Sequence, residues 1–451
     1  MMRAWHAQLA WLPPELGGVR ERVLIEVRDG AIARVTPDVD APEQSALLRG
    51  LVIPGLANAH SHAFQRALRG RTEAAESGGS FWTWREQMYR LAWQIDPDTM
   101  YELARATYGE MVLAGVAAVG EFHYLHHRPD GTPYEDPNRM GEALIAAAGD
   151  AGVRLTLLDT CYLRGGLDGR PLEGAQRRFG DASAAAWAKR VGALSERSNV
   201  RIGAALHSVR AVDEQSMRYV AAWAAESDAP LHVHVSEQQR ENEDCIQATG
   251  MTPTALLARA GALGPRTTAV HATHLSQADV HLLGESGTTI CVCPTTERAL
   301  ADGVGPAAAL AGAGSPLCVG SDSHAVIDLF EEARAIELDE RLVTGRRGHH
   351  APDALVRAAT AAGMAALGWD SGELAPGRLA DFVALDLSST QLAGWTRESL
   401  LAHVVHAATA ADVTDVVVGG EAVVSGRLHV ALGDVPALLQ DAIARAWGRP
   451  R

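Results

Sequence analysis

Cysteine is scarce in this chain. There are five in 451 residues, an odd number, and Cys161, Cys245, Cys291, Cys293 and Cys318 all lie in apolar or strand-like settings. That excludes a disulfide framework and reads as small buried hydrophobes in a reducing compartment. Cys291-Val292-Cys293 resembles half of a metal clip, but no second pair accompanies it. No basic segment followed by an apolar run opens the chain, and no apolar stretch is long enough to span a bilayer. The expectation is a soluble, cytoplasmic protein. Positive charge is also in deficit: 40 Lys and Arg stand against 55 Asp and Glu, a formal net charge of −15. This balance argues against nucleic acid or an anionic membrane as partner. An anionic small-molecule substrate would need positive groups gathered inside a cleft. Gly-rich phosphate loops are missing, as are internal repeats, and low complexity is confined to short alanine runs such as Ala307-Ala308-Ala309.

What is present is ample core material, with 47% hydrophobic and 21% charged residues. The chain ends read as short strands. Val23–Val27 and Ala31–Val35 flank an Asp29-Gly30 turn, a strong hairpin signal. Phe382–Asp386, Val416–Val418 and Glu421–Val424 repeat this β character near the other end. Neither end could bury its apolar face alone, so residues 1–54 and 373–451 are expected to form one small β-sandwich, the latter carrying a terminal helix. Between them, residues 55–372 alternate apolar strand-like runs with helical stretches such as Thr99 to Ala114, Asn138 to Ala151 and Ser183 to Arg197. That alternation predicts βα units around a parallel sheet, an α/β fold, best read as a (β/α)8 TIM-like barrel. An open doubly wound sheet explains less well why groups from many strands should converge.

The candidate chemistry lies where these runs end. His60-Ser61-His62 closes the run Leu51–Ala59, and in extended chain residues i and i+2 share a face, so both imidazoles can reach one ion. A lone His-x-His means little. Four later runs, however, end in groups of the right type: His207, His234 with Glu237, His271, and Asp322. At the carboxyl ends of barrel strands these would share the catalytic face and form a metal-dependent hydrolytic site.

With these residues in order, the chain resembles the amidohydrolase superfamily, through His60-x-His62, His234, His271, Asp322 and the segment Gly377–Asp386. Within it, the chain looks most like the formimidoylglutamate deiminases of histidine degradation. The motifs that carry this likeness are His60–Ala67, Phe81–Tyr89, Glu121–Tyr124, His207–Arg210 and His234–Gln238. The resemblance implies His60, His62, His234 and Asp322 as metal ligands or near-ligands. No lysine stands at a strand end to bridge two metals, so one ion, Zn2+, is expected.

The resemblance further implies that Asp322 takes a proton from water and passes it to departing ammonia. Glu237 would protonate the imino nitrogen, and His271 would orient the nucleophile and steady the tetrahedral intermediate. Gln65, Arg85, Tyr124, His207 and Arg210 would hold a substrate bearing two carboxylates, for which arginine's planar fork is suited. A homodimer is implied. Trp82 and Trp84 could shape a lid or simply pack, and His123, His126, His127, His274 and His324 are expected in supporting or surface places. The alternatives are a related deaminase acting on a purine, pyrimidine or triazine ring, and a catalytically silent scaffold.

Overall fold

The computed structural model describes residues 2–72 and 81–448. Its first four strands, β1 (Met2–Trp11), β2 (Val19–Arg28), β3 (Ala31–Thr36) and β4 (Ala46–Pro54), belong to a sheet that the far end of the chain completes. Asp29 and Gly30 turn β2 into β3 with φ of 53° and 79°, the left-handed pair that a two-residue hairpin needs.

Eight further strands follow: β5 (Leu56–Ser61), β6 (Val116–His123), β7 (Arg154–Cys161), β8 (Val200–Leu206), β9 (Leu231–Val235), β10 (Thr267–His271), β11 (Thr289–Val292) and β12 (Leu317–Val319). They pair in parallel and in sequence order. A parallel bridge between Ser61 and Asp322 joins the last strand's exit to the first. The sheet therefore closes on itself as a (β/α)8 barrel. Strands β5, β6, β7, β9 and β10 are buried at every residue, as expected where helices cover one face and the barrel interior fills the other.

The remaining strands, β13 (Phe382–Leu385), β14 (Val413–Val418), β15 (Glu421–Ser425) and β16 (Leu428–His429), return to the first sheet and give the order β16-β15-β14-β13-β4-β1-β2-β3. Its central strands alternate between two cores. Leu51, Ile53, Val383 and Leu385 join the barrel's apolar cluster, whereas Val52, Phe382 and Ala384 pack with Trp5, Val23 and Ile25 on the other face. Through this period of two, both chain ends contribute to both cores.

Two helices read from sequence match closely, at Pro97–Leu113 and Arg139–Ala151. The third is shorter than the stretch Ser183 to Arg197, because it stops at Val191 before Gly192. Arg197 instead pairs with Val200, at the entry to β8, and with Glu142 at 3.0 Å.

The junction between the sheets is built on Asp381. Its carboxylate accepts from Arg154 Nε at 2.8 Å and Nη2 at 2.9 Å, from the Ser371 hydroxyl at 2.9 Å and from the Gly419 amide at 2.7 Å. Gly55 passes beside it, where a Cβ would come within 2.6 Å of Ala117 Cβ. Arg154 starts β7, and its guanidinium also lies 5.1 Å over the Trp369 ring. Removing one partner of a buried pair strands the other, so Arg154→Met should cost about 3–5 kcal/mol. Scanning calorimetry should record a Tm several degrees lower, and an unchanged Tm would refute this role for the pair.

Candidate active site

The site begins with the closure of the barrel. The Asp322 amide donates to His60 O at 3.0 Å and the His62 amide to Asp322 O at 3.1 Å, which locks the exit of β12 against that of β5. Gly320 makes this approach possible, since a Cβ there would sit 2.7 Å from His60 Cβ. From β6, buried Glu121 accepts from the Ser61 hydroxyl at 2.7 Å and the Ala63 amide at 2.8 Å, fixing the His60-Ser61-His62 turn. Backbone strain gathers here too. Ser236, His271, Ala272 and Asp322 have φ of 52°, 70°, 51° and 44°, a left-handed region that non-glycine residues enter at a cost of about 1–3 kcal/mol each.

The side chains of His60, His62, His234 and Asp322 converge, with ligand atoms all within 4.8 Å of one another. His60 Nε2 lies 3.0 Å from His234 Nε2 and 3.2 Å from Asp322 Oδ1, and His62 Nε2 lies 3.4 Å from the same oxygen. His62 donates its Nδ1 proton to Phe122 O and His234 donates its own to His207 O, both at 2.9 Å. Their Nε2 lone pairs are therefore left pointing into the cluster. His60 Nδ1 is buried without a partner among the described residues, where this ring makes its polar contacts through Nε2. Facing lone pairs 3 Å apart are a poor hydrogen-bond network but a good donor set for a cation.

Burial holds these imidazoles neutral, as ligation requires. It pushes His62 down to about 3, with His60 adding to the effect, and His60 and His234 are lowered as well. Burial opposes ionisation of Asp322, yet contact with His60, His271 and His62 holds its carboxyl below the usual range. The donor set of three imidazoles and a carboxylate fits one divalent metal ion. The chain's single lysine, Lys189, is exposed on a helix and cannot bridge a second.

A cavity opens above this cluster. His62, Gln65, Arg85, Tyr124, His207, Arg210, His234, Glu237, His271 and Asp322 all line it; His60 is buried beneath. Every site residue expected from the sequence thus meets in one place. Gln65 Nε2 donates to the Tyr124 hydroxyl at 2.9 Å, and its Oε1 has no partner among the described residues. His207 packs on Tyr162, with ring centroids 4.5 Å apart. Arg85 lies over the Tyr89 ring at 5.6 Å. Trp84 joins the wall, whereas the Trp82 side chain lies outside the described residues.

Two acids lean toward His271. Glu237 Oε1 is 3.9 Å and Asp322 Oδ2 4.0 Å from its Nε2. Burial alone would depress this imidazole, but Glu237, Glu297 and Asp322 together push it up to about 10. Burial raises Glu237 to about 7, Asp322 adding and His271 and Arg210 opposing.

Sequence reasoning missed two carboxylates. Glu241 Oε1 lies 3.6 Å from Arg210 Nε, and Glu297 Oε1 lies 3.3 Å from His271 Nδ1. Glu241 follows Glu237 by four residues, in the first turn of the helix Gln239–Thr249, a proximity that could have flagged it. Glu297 follows β11, whose Cys-Val-Cys exit drew attention instead. The extra histidines are mostly buried rather than superficial. His126 donates to Thr160 O at 3.1 Å and lies 3.2 Å from His123, while Arg190 grips the neighbouring Asp159 at 2.7 and 2.8 Å. That carboxylate is already satisfied by a cation, so this second cluster needs no metal. His324 backs the turn through Ser321 and Ser61, and His274 reaches Asp302 O at 2.7 Å.

His234→Ala removes a donor but leaves the fold's hydrogen-bonded closure intact. Metal analysis after gentle purification should therefore fall from about one divalent ion per chain to a small fraction. His271→Ala should retain the ion, and equal retention by both variants would contradict the ligand set.

Comparison with known proteins agrees with this geometry. The sequence profile of the amidohydrolase family matches residues 51–423. Formimidoylglutamate deiminase of Pseudomonas aeruginosa is 39% identical over 439 residues, covering 95% of this chain and 96% of its own. A solved amidohydrolase from Brucella melitensis is 33% identical, covers 99% of this chain and 100% of its own, and superposes with a TM-score of 0.90. An adenosine deaminase from Xanthomonas campestris with bound zinc is 26% identical, covers 98% of this chain and 97% of its own, and gives 0.82. The barrel, the convergent donor set and these matches lead to one conclusion: the chain belongs to the amidohydrolase family and is a hydrolase acting on carbon–nitrogen bonds.

Proposed function

We propose that the chain hydrolyses N-formimino-L-glutamate to N-formyl-L-glutamate and ammonia, a step of histidine degradation. The observation that carries this reading is the placing of Arg85 and Arg210 in the same cavity as Glu237, His271 and Asp322. In a chain of net charge −15, guanidinium groups beside a hydrolytic cluster suit a dicarboxylate with a reactive amidine head. The Pseudomonas relative, so named, supports it.

A divalent ion held by His60, His62, His234 and Asp322, proposed to be Zn2+, would lower the pKa of water toward 7 and favour attack at neutral pH. Asp322 is placed to take a proton from the attacking water. His271, beside it, steadies negative charge that develops on the attacked carbon's oxygen. Glu237 protonates the imino nitrogen and regains a proton from the hydroxyl newly added to carbon, while Asp322 passes the first water proton to the departing ammonia. The balance closes: a carbon–oxygen bond forms, the bond to the imino nitrogen breaks, and both water protons end on ammonia. Arg210, Arg85, Tyr124, His207 and Gln65 hold the glutamyl carboxylates and backbone. Five buried free thiols suit a cytoplasmic setting, and none of the described helices is long and apolar enough to cross a membrane.

A second reading, deamination of a heterocyclic base, is favoured by the aromatic wall of Tyr124, Tyr162, Phe179 and Trp84, on which a ring could stack. An ammonia-release assay separates the two. N-formimino-L-glutamate should be turned over, with N-formylglutamate as co-product, and guanine and cytosine should not. Arg210→Met leaves buried Glu241 without its cation and removes a carboxylate donor, a loss of about 2–4 kcal/mol in binding. The kcat/KM should fall by roughly 30- to 1000-fold at unchanged metal content. An unaffected rate, or turnover of the bases instead, would overturn the reading.

A further inference from the structure

Beyond the residues already given roles, buried Glu297 has its main chain tied by two hydrogen bonds and its carboxylate by one. It stands in the first turn of the helix Pro294–Leu300, which follows β11. Its Oε1 accepts from the Cys293 amide at 3.0 Å, and its own amide donates back to Cys293 O at 3.0 Å. The Asp302 amide donates to Glu297 O at 2.8 Å. The turn is itself anchored from outside: buried Glu332, on the helix Leu329–Thr344, accepts from both the amide and the hydroxyl of Thr295. Proline at the first helical position pre-sets the backbone there. The Oε1 that the Cys293 amide holds is the same oxygen that faces His271 Nδ1, at 3.3 Å.

His271 needs such a hold. Its φ of 70° and the 51° of Ala272 place the end of β10 in a left-handed conformation that relaxes unless something opposes it. Its Nε2 must face the gap between Glu237 and Asp322, 3.9 and 4.0 Å away, for the ring to meet an oxygen there. A carboxylate accepting the Nδ1 proton fixes both the tautomer and the direction of Nε2.

We propose that Glu297 is a positioning residue: by accepting the Nδ1 proton of His271 it aims Nε2 at the reacting oxygen. The role rests on the hydrolytic reading of the site and not on which amidine or ring is the substrate. Glutamine at this position keeps an oxygen for both the Cys293 amide and His271; methionine keeps the volume and offers none.

The test compares Glu297→Gln with Glu297→Met in steady-state kinetics, metal analysis and 15N NMR of histidine-labelled protein. Glu297→Met should lower kcat by about 10- to 100-fold, with KM and metal content within about twofold of the parent. Glu297→Gln should recover most of that loss. In the NMR spectra, the His271 Nδ1 resonance should report a hydrogen-bonded donor in the parent and in Glu297→Gln, and shift in Glu297→Met. Unchanged kcat in both variants, or a loss matched by lost metal or by an equal rise in KM, would overturn the proposal. The NMR comparison decides it even if N-formimino-L-glutamate proves not to be the substrate. An unmoved His271 resonance in Glu297→Met would then be sufficient to reject it.

Discussion

Two main-chain hydrogen bonds, from the Asp322 amide to His60 O and from the His62 amide to Asp322 O, set the geometry on which the whole site depends. They join the last barrel strand to the first, and so bring residues from opposite ends of the barrel sequence into one cluster. Gly320 allows the approach, because no other residue could pass His60 at that distance. The strand exits that carry Asp322 and His271, and the Ser236 turn that leads to Glu237, are all left-handed. Such strain persists only where surrounding structure over-determines it, and here the closed sheet and its two apolar cores do so.

The same burial acts in opposite senses on the groups that it encloses. It keeps the ligand imidazoles neutral, and it raises the carboxyl of Glu237 toward neutrality. His271 escapes that pattern because three carboxylates surround it and outweigh the burial. Across the cavity, Arg210 faces buried Glu241 through its Nε edge at 3.6 Å. A strongly acidic chain thus places two guanidinium groups, Arg85 and Arg210, beside its hydrolytic cluster.

Much of this was legible in the sequence, for a physical reason. Barrel strands are buried on both faces, so a histidine or aspartate that ends an apolar run is conspicuous, and His60, His62, His234, His271 and Asp322 all stood out in that way. The Asp29-Gly30 hairpin and the β character of both chain ends were equally plain. Glu297 and Glu241 were not, because each lies within a helix and gains its meaning only from a partner on a different βα unit. The stretch to Arg197 read as helix from its composition, but Gly192 and the pairing of Arg197 with Val200 ended it early. Of the supporting or surface places expected for the surplus histidines, His123 and His126 take buried ones, in a polar niche that Arg190 and Asp159 create and no local pattern announces.

The central claim is that His60, His62, His234 and Asp322 share one divalent cation. Anomalous X-ray diffraction across the zinc absorption edge, on crystals of the protein as purified, tests it most directly. The account predicts a single strong anomalous peak within bonding distance of those four side chains. A peak beside His123, His126 and Asp159 instead, or none at the barrel mouth, would contradict it.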